Sequence, residues 1–441
     1  MIEKYLVKKI TEPVDWKVTV PGSKSMTNRA LLMAVLSAGT VRVEGVLFSD
    51  DSRHFLACLV ALGFTVEIEE EKKCVTVTGC GGRIPRGEAV IDVGSAGTAA
   101  RFLAAMLGFS DGCYEIRCSA QMKRRPMAEL FDLLSGAGAK ITFLEEEGHL
   151  PVRITGCRYA RADKTAGETP RELSLDITKS TQFLSALLLI APMVPEGMKI
   201  HITSEKTDGS YIRITRKMMQ EFGVSVAFDG RDYEVPCRSS YQKETYMVEP
   251  DMSAACYFYA AAAVTGGRAL VRHVHMDNTQ GDLRFLEVLE HMGCTADDTP
   301  DGVLVTGPAD GALRGITVNM NDFSDQALTL AAIAPFADAP VRIEGIGHIR
   351  GQECDRIHAI QTNLTALGIR CEEEETAATI YPGSPHGGSV ETYDDHRVAM
   401  AFSLVGLRTD GIVIENPACC RKTFENYFTV LSELTGKKTE A

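Results

Sequence analysis

Four short segments gather small, hydroxyl-bearing and charged residues at the start of an apolar run: Gly22-Ser23-Lys24-Ser25-Met26-Thr27-Asn28-Arg29, Gly94-Ser95-Ala96-Gly97-Thr98-Ala99-Ala100-Arg101, Lys179-Ser180-Thr181-Gln182 and Asp394-Asp395-His396-Arg397. The chemistry they share is anion binding. The first four N–H groups of a helix lack intrahelical partners, and the dipole places about half a positive charge there. Small residues let an anion approach that backbone. Each segment alone is a weak signal. Ser or Thr at a helix start is commonly a plain N-cap, and GSAGTA lacks the lysine of a phosphate loop and misses the dinucleotide fingerprint. Lys123-Arg124-Arg125-Pro126 reads equally as a charged helix entry. What gives the segments weight is recurrence at equivalent places in a repeat.

Alanine-rich runs start near Ser25, Gly97, Ser180, Ser253, Asp325 and His396, at intervals of 72, 83, 73, 72 and 71 residues. A period held over a whole chain predicts stacked units that bury their apolar faces together. Each run leads to a β-branched strand, as in TVRVEGV, CYEIRC and MKIHI. A second helix then stops at a glycine (Gly63, Gly138, Gly223, Gly293, Gly368), as a left-handed C-cap requires. A hairpin such as VEIEEEKKCVTVTG usually closes the unit. The unit thus reads strand, helix, strand, helix, strand, strand, and the fold class is α/β (α+β). Six such units exceed one core. Two lobes of three are expected, residues 1–20 plus 249–441 and residues 21–248, with helix starts facing a cleft between them.

Composition limits the function classes. The longest apolar run, Phe183–Val194, is about a dozen residues, short of the ~20 that span a bilayer, and MIEKYLVKKI lacks a signal-peptide core. Thirteen cysteines, none in a C-x-x-C pair, argue against disulfides and structural zinc and for a reducing cytoplasm. A net charge of −13 argues against nucleic acid. Cationic helix starts on so acidic a chain point to small anionic ligands. No membrane partner is expected, and the chain is expected to act as a monomer.

The segments PGSKSMTNRALL, GSAGTAARFLAAML, MKRRPMAELFDLL, STQFLSALLL, YDDHRVAMAFSL and KTFENYF, in this order over nearly the whole chain, resemble the 5-enolpyruvylshikimate-3-phosphate synthase family (3-phosphoshikimate 1-carboxyvinyltransferases). The resemblance implies two lobes of three β-α-β-α-β-β repeats in an inside-out α/β barrel. It also implies transfer of the enolpyruvyl group of phosphoenolpyruvate to the 5-hydroxyl of shikimate 3-phosphate with release of phosphate, and no metal or organic cofactor. By motif match, Lys24, Arg125, Gln182 and Lys422 would hold the phosphoenolpyruvate phosphate, with Gly97 admitting it to the helix. Arg356 and Arg397 would grip its carboxylate, a geometry that favours arginine over lysine. Ser25 and Arg29 would take the shikimate carboxylate; Ser180 and Thr181, beside Gln182, would take the 3-phosphate. Asp325 matches the base at the 5-hydroxyl and Glu353 the acid to the methylene carbon, with Lys24 and His396 as further proton carriers.

Three departures from the family pattern stand out, two of which, Asp208 and Gln352, bear on the acceptor. Ser95 replaces an asparagine, Asp208 stands where the family has a serine, and Gln352 replaces a lysine at the phosphate end of shikimate 3-phosphate. A repulsion between unit charges at ~4 Å is worth ~1 kcal/mol in water and ~4 at an effective dielectric of 20. Lys179 is therefore expected to replace the cation lost at Gln352, and Ser210 the hydroxyl lost at Asp208. Two alternatives stay open: transfer to UDP-N-acetylglucosamine, and a non-catalytic anion-binding paralogue. The resemblance further implies that glyphosate competes for the phosphoenolpyruvate pocket.

Overall fold

The computed structural model describes residues 4–157, 169–309 and 312–436. Backbone contacts divide the chain into two compact units, residues 22–249 and residues 1–21 with 250–441, each with its own apolar core.

In the unit 22–249, three four-stranded sheets share one plan. In the second repeat, strand Glu88–Asp92 leads through helix Gly97–Gly108 to the parallel strand Cys113–Arg117. Helix Ala128–Gly136 and the antiparallel pair Lys140–Phe143 and Val152–Thr155 follow. The third repeat copies this, with Arg171–Leu175 and Met198–Ile202 as the parallel pair. The first repeat borrows its opening strand from the far end of the segment: Thr245–Met247 pairs in parallel with Thr40–Glu44.

The unit 1–21 with 250–441 borrows in the same way. Asp15–Val18 pairs in parallel with Arg268–Arg272 and so opens the fourth repeat. Lys4–Leu6 closes the sixth by pairing antiparallel with Ile412–Glu415. The glycines expected to end the second helices all have left-handed backbones, with φ of +91, +100, +90, +105 and +83° at Gly63, Gly138, Gly223, Gly293 and Gly368.

The alanine-rich composition has a packing cause. All twelve residues of helix Gly97–Gly108 are buried, as are thirteen of the fourteen in Met252–Thr265. A helix surrounded on every side needs an apolar circumference, and alanine supplies one with the best helix propensity and little bulk. These first helices of the repeats form the centre of each unit, and each is entered from the carboxyl end of a parallel strand, where open α/β sheets place ligands. All thirteen cysteines are free thiols. Among the described residues no helix is long and apolar enough to cross a membrane.

Candidate active site

In the unit 22–249 the site begins with two helix starts that no side chain caps, at Lys24–Leu36 and Gly97–Gly108. Their first N–H groups remain available to an anion. Lys24 Nζ lies 3.3 Å from Asp51 Oδ2. Asp51 is buried and its Oδ1 has no hydrogen-bond partner, so the sequence reading missed the group that holds Lys24; the signal was the acidic pair opening the helix Asp50–Ala61.

Gly97 sits against two cations. A Cβ there would lie 2.4 Å from Arg125 Nη1 and 2.7 Å from Arg101 Nη1, so only glycine leaves both guanidiniums in place. Arg101 donates to Gln182 Oε1 at 3.1 Å and stacks on Phe183. Burial, then the charge of Arg125, holds its guanidinium well below the ordinary arginine range.

Arg29 is enclosed by neutral groups. It donates to Thr215 Oγ1 at 2.8 Å and the Ser25 carbonyl at 2.8 Å, and lies over the rings of Phe102 and Tyr211. Burial brings its guanidinium down to about 10. A carboxylate arriving here would supply the countercharge that a buried cation needs.

Ser180 caps the helix Thr181–Ile190 by accepting from Gln182 N at 3.2 Å, and Thr181 opens its first turn. Lys179 differs from its expected role. Its Nζ lies 2.5 Å from Glu129 Oε1, and that pair holds it at the helix Ala128–Gly136. Asp208 is engaged by Arg213 Nη1 at 2.9 Å and by the Tyr233 hydroxyl at 3.2 Å, which answers the carboxylate that the sequence added. Ser210 opens the helix Ser210–Glu221.

In the other unit, six charged side chains and His396 form one chain of contacts. Lys422 Nζ meets Glu353 Oε2 at 2.6 Å; the same oxygen is 3.6 Å from His396 Nδ1, which is 3.7 Å from Asp395 Oδ1. Asp395 Oδ2 accepts from Arg356 Nε at 2.8 Å, and Arg356 Nη1 donates to Asp325 Oδ1 at 2.9 Å. Asp325 Oδ2 completes the chain 2.8 Å from Arg397 Nη2. Gln352 turns its amide oxygen to Arg356. Burial alone would lower the Arg356 guanidinium, but Asp395 and Asp325 outweigh it and hold it above its ordinary range. Burial would raise the Asp395 carboxyl; Arg356 overrides this and depresses it. The sequence reading quoted Asp395 only within its motif, although it both caps the helix His396–Arg408 and holds Arg356. Glu353, Asp395 and His396 each bring one ligand-type atom within 4.8 Å of the others, and Lys422 and Arg356 already place cations on these carboxylates.

Asp282 was not foreseen. It is buried, accepts from Gln326 Nε2 at 2.8 Å, and is pushed up to about 6, first by burial and then by the charge of Asp325. A carboxyl raised by folding keeps its proton longer in the folded chain than in the unfolded one, where it titrates near ~4. Stability contributed here is lost as pH rises from about 4 to about 6. Asp282→Asn is therefore expected to gain in melting temperature relative to wild type between about pH 4 and pH 7.5. A constant difference across that range would contradict the assignment.

A profile of the EPSP synthase (3-phosphoshikimate 1-carboxyvinyltransferase) family matches residues 8–431. The 3-phosphoshikimate 1-carboxyvinyltransferase of Trichormus variabilis is 41% identical over 429 residues, covering 97% of this chain and 98% of that protein. The same enzyme of a Sulfurovum species is 40% identical, covering 96% and 97%. Among solved structures, an EPSP synthase from Acinetobacter baumannii superposes with a TM-score of 0.78 at 25% identity, over 98% of this chain and 97% of that one.

Proposed function

Because the chain belongs to the EPSP synthase (3-phosphoshikimate 1-carboxyvinyltransferase) family, we propose that its cationic groups bind two anions, phosphoenolpyruvate and shikimate 3-phosphate. The enzyme transfers the enolpyruvyl group of the first to the 5-hydroxyl of the second and releases phosphate, a step of the shikimate pathway to aromatic amino acids. An acceptor such as UDP-N-acetylglucosamine, or a purely binding role, is not favoured by relatives of this length and name.

The observation that carries the site assignment is the bridge from Arg356 through Asp325 to Arg397. These two guanidiniums hold one carboxylate in the structure, and they suit the carboxylate of phosphoenolpyruvate in the same bidentate manner. Lys24, Arg125, Gln182 and Lys422 would neutralise its phosphate. Ser25 and Arg29 would hold the carboxylate of the acceptor, and the helix start at Ser180 and Thr181 its phosphate.

The reaction begins as the 5-hydroxyl oxygen attacks C2 of phosphoenolpyruvate and gives its proton to Asp325. C3 gains a proton from Glu353, which Lys422 and His396 orient, and a tetrahedral adduct forms. Glu353 takes a proton back from the new methyl group as phosphate leaves C2, and the proton held by Asp325 passes to the departing phosphate, which restores the double bond and both carboxyl groups. Preorganised cations stabilise the negative charge throughout.

Phosphate release measured with shikimate 3-phosphate and, separately, with UDP-N-acetylglucosamine tests this reading. Turnover with the first alone is expected; turnover with neither would leave a binding protein. Glyphosate is expected to compete with phosphoenolpyruvate. Gly97→Ala, whose methyl must displace Arg125 and Arg101, should raise the KM for phosphoenolpyruvate by about tenfold, as loss of one charge-assisted contact would. An unchanged KM would show that neither guanidinium touches the phosphate.

A further inference from the structure

The fourth repeat supplies none of the groups assigned to either substrate, yet it is built against residues that are. After the strand Arg268–Arg272, a single turn, Gly281–Arg284, leads into the helix Phe285–His291. Gln280, just before that turn, ties it to the helix start at Met252: its Oε1 accepts from Met252 N at 3.3 Å and its Nε2 donates to the Pro250 carbonyl at 2.7 Å. The turn then reaches into the next repeat. Asp282 Oδ1 accepts from Gln326 Nε2 at 2.8 Å, and Gln326 Oε1 accepts from Thr329 Oγ1 at 2.9 Å. Arg284 lies over the Phe323 ring, 4.9 Å from its centroid, and 3.9 Å from Asp322 Oδ2. The short turn Ser324–Gln326, which carries Asp325, is therefore held at both of its ends.

The two holds differ in strength. Arg284 is half exposed, and solvent weakens its ion pair. Asp282, Gln326 and Thr329 are buried, where a polar group deprived of its partner is costly. Gln326 uses its amide in both directions, which fixes the side chain of the residue that follows Asp325. A carboxyl at 282 is itself unfavourable for stability: burial, then the charge of Asp325, pushes it up to about 6. An apolar residue would fill the same space without that cost. What the carboxyl adds is an acceptor for Gln326, and groups kept against stability mark functional positions.

We propose that Asp282 is a positioning residue for the reaction: through Gln326 it fixes the turn that carries Asp325, so that this carboxylate meets both the arginine pair and the 5-hydroxyl of the acceptor. The inference rests on the assignment of Asp325 as the base. The fourth repeat then acts on the chemistry without touching substrate.

The test is steady-state kinetics of Asp282→Ala and Asp282→Asn, with Asp282→Ala also made in the Asp325→Asn background. Asp282→Ala is expected to lower kcat about ten- to a hundredfold, as misplacement of a reacting group does. The KM for shikimate 3-phosphate should stay within about twofold, because lost alignment acts on the step after binding. Asp282→Asn, whose amide oxygen still accepts from Gln326, should recover most of the loss. In the Asp325→Asn background the alanine substitution should cost nothing further, since residues that act as a unit are not additive. If Asp282→Ala does not fold, Gln326→Met breaks the same bond from its other side and should lower kcat equally. A folded variant with unchanged kcat, an asparagine no better than alanine, or an equal loss in both backgrounds would overturn the proposal. An Asp325→Asn enzyme that keeps the wild-type kcat would instead overturn the assignment of the base on which it rests.

Discussion

Asp325→Asn should lower kcat by about 10²- to 10⁴-fold, the range that removal of a positioned general base produces. Asp325 bridges the two guanidiniums of the arginine pair, so the residue proposed to take the acceptor's proton also sits between Arg356 and Arg397. Asparagine keeps the shape but presents one amide N–H to a cation. Part of the loss should therefore appear as a higher KM for phosphoenolpyruvate. The larger part should remain at saturating substrate, because only a proton-transfer role acts on the step after binding. Rapid measurement of phosphate release at saturation separates the two. A variant retaining kcat within about tenfold of wild type would transfer the base role to another group.

Arg356→Met carries the largest structural consequence. Arg356 is 2% exposed and holds Asp395, which is fully buried, together with Asp325. Removing one partner of a buried ion pair leaves an uncompensated charge and costs about 3–5 kcal/mol. The pH dependence follows from the depressed Asp395 carboxyl. Its stabilisation is present above the unfolded value near ~4 and is lost as pH falls through the lower folded value. The gap in stability between variant and wild type should thus be full at neutral pH and narrow in acid. Denaturant unfolding at two pH values measures it. A gap that is small at neutral pH would mean that Asp395 finds another partner when Arg356 is gone.

The architecture was legible because its signals are local and repeated. Glycine at 63, 138, 223, 293 and 368 has to adopt a left-handed backbone, and the alanine runs have to be buried on all sides; neither depends on distant sequence. The borrowed strands were partly legible. The period assigned the N-terminal segment only to the lobe of repeats four to six; nothing in the residues says that Asp15–Val18 opens the fourth or that Lys4–Leu6 closes the sixth. Helix starts were placed within a residue, at Lys24 for the run near Ser25 and at Met252 for the run near Ser253.

The site was less legible, because its contacts join residues far apart in the chain. Asp325, Arg356 and Arg397 were each named, yet their bridge requires the fifth and sixth repeats to be folded together. Lys179 shows the limit most clearly. Adjacency in sequence favoured it as the cation at the third helix start, whereas Glu129, fifty residues away, is its ion-pair partner. Asp51 and Asp282 escaped for a similar reason: an acidic residue at a helix start reads as a cap until its partner is placed.

The most direct test follows the transferred carbons. Phosphoenolpyruvate labelled with ¹³C at C2 is incubated with shikimate 3-phosphate and the enzyme, and the products are read by NMR. The label should move into an enol ether on the 5-oxygen of the acceptor, with one phosphate released for each ether formed. Label recovered in pyruvate, or left in phosphoenolpyruvate while both substrates are present, would contradict enolpyruvyl transfer as the activity of this chain.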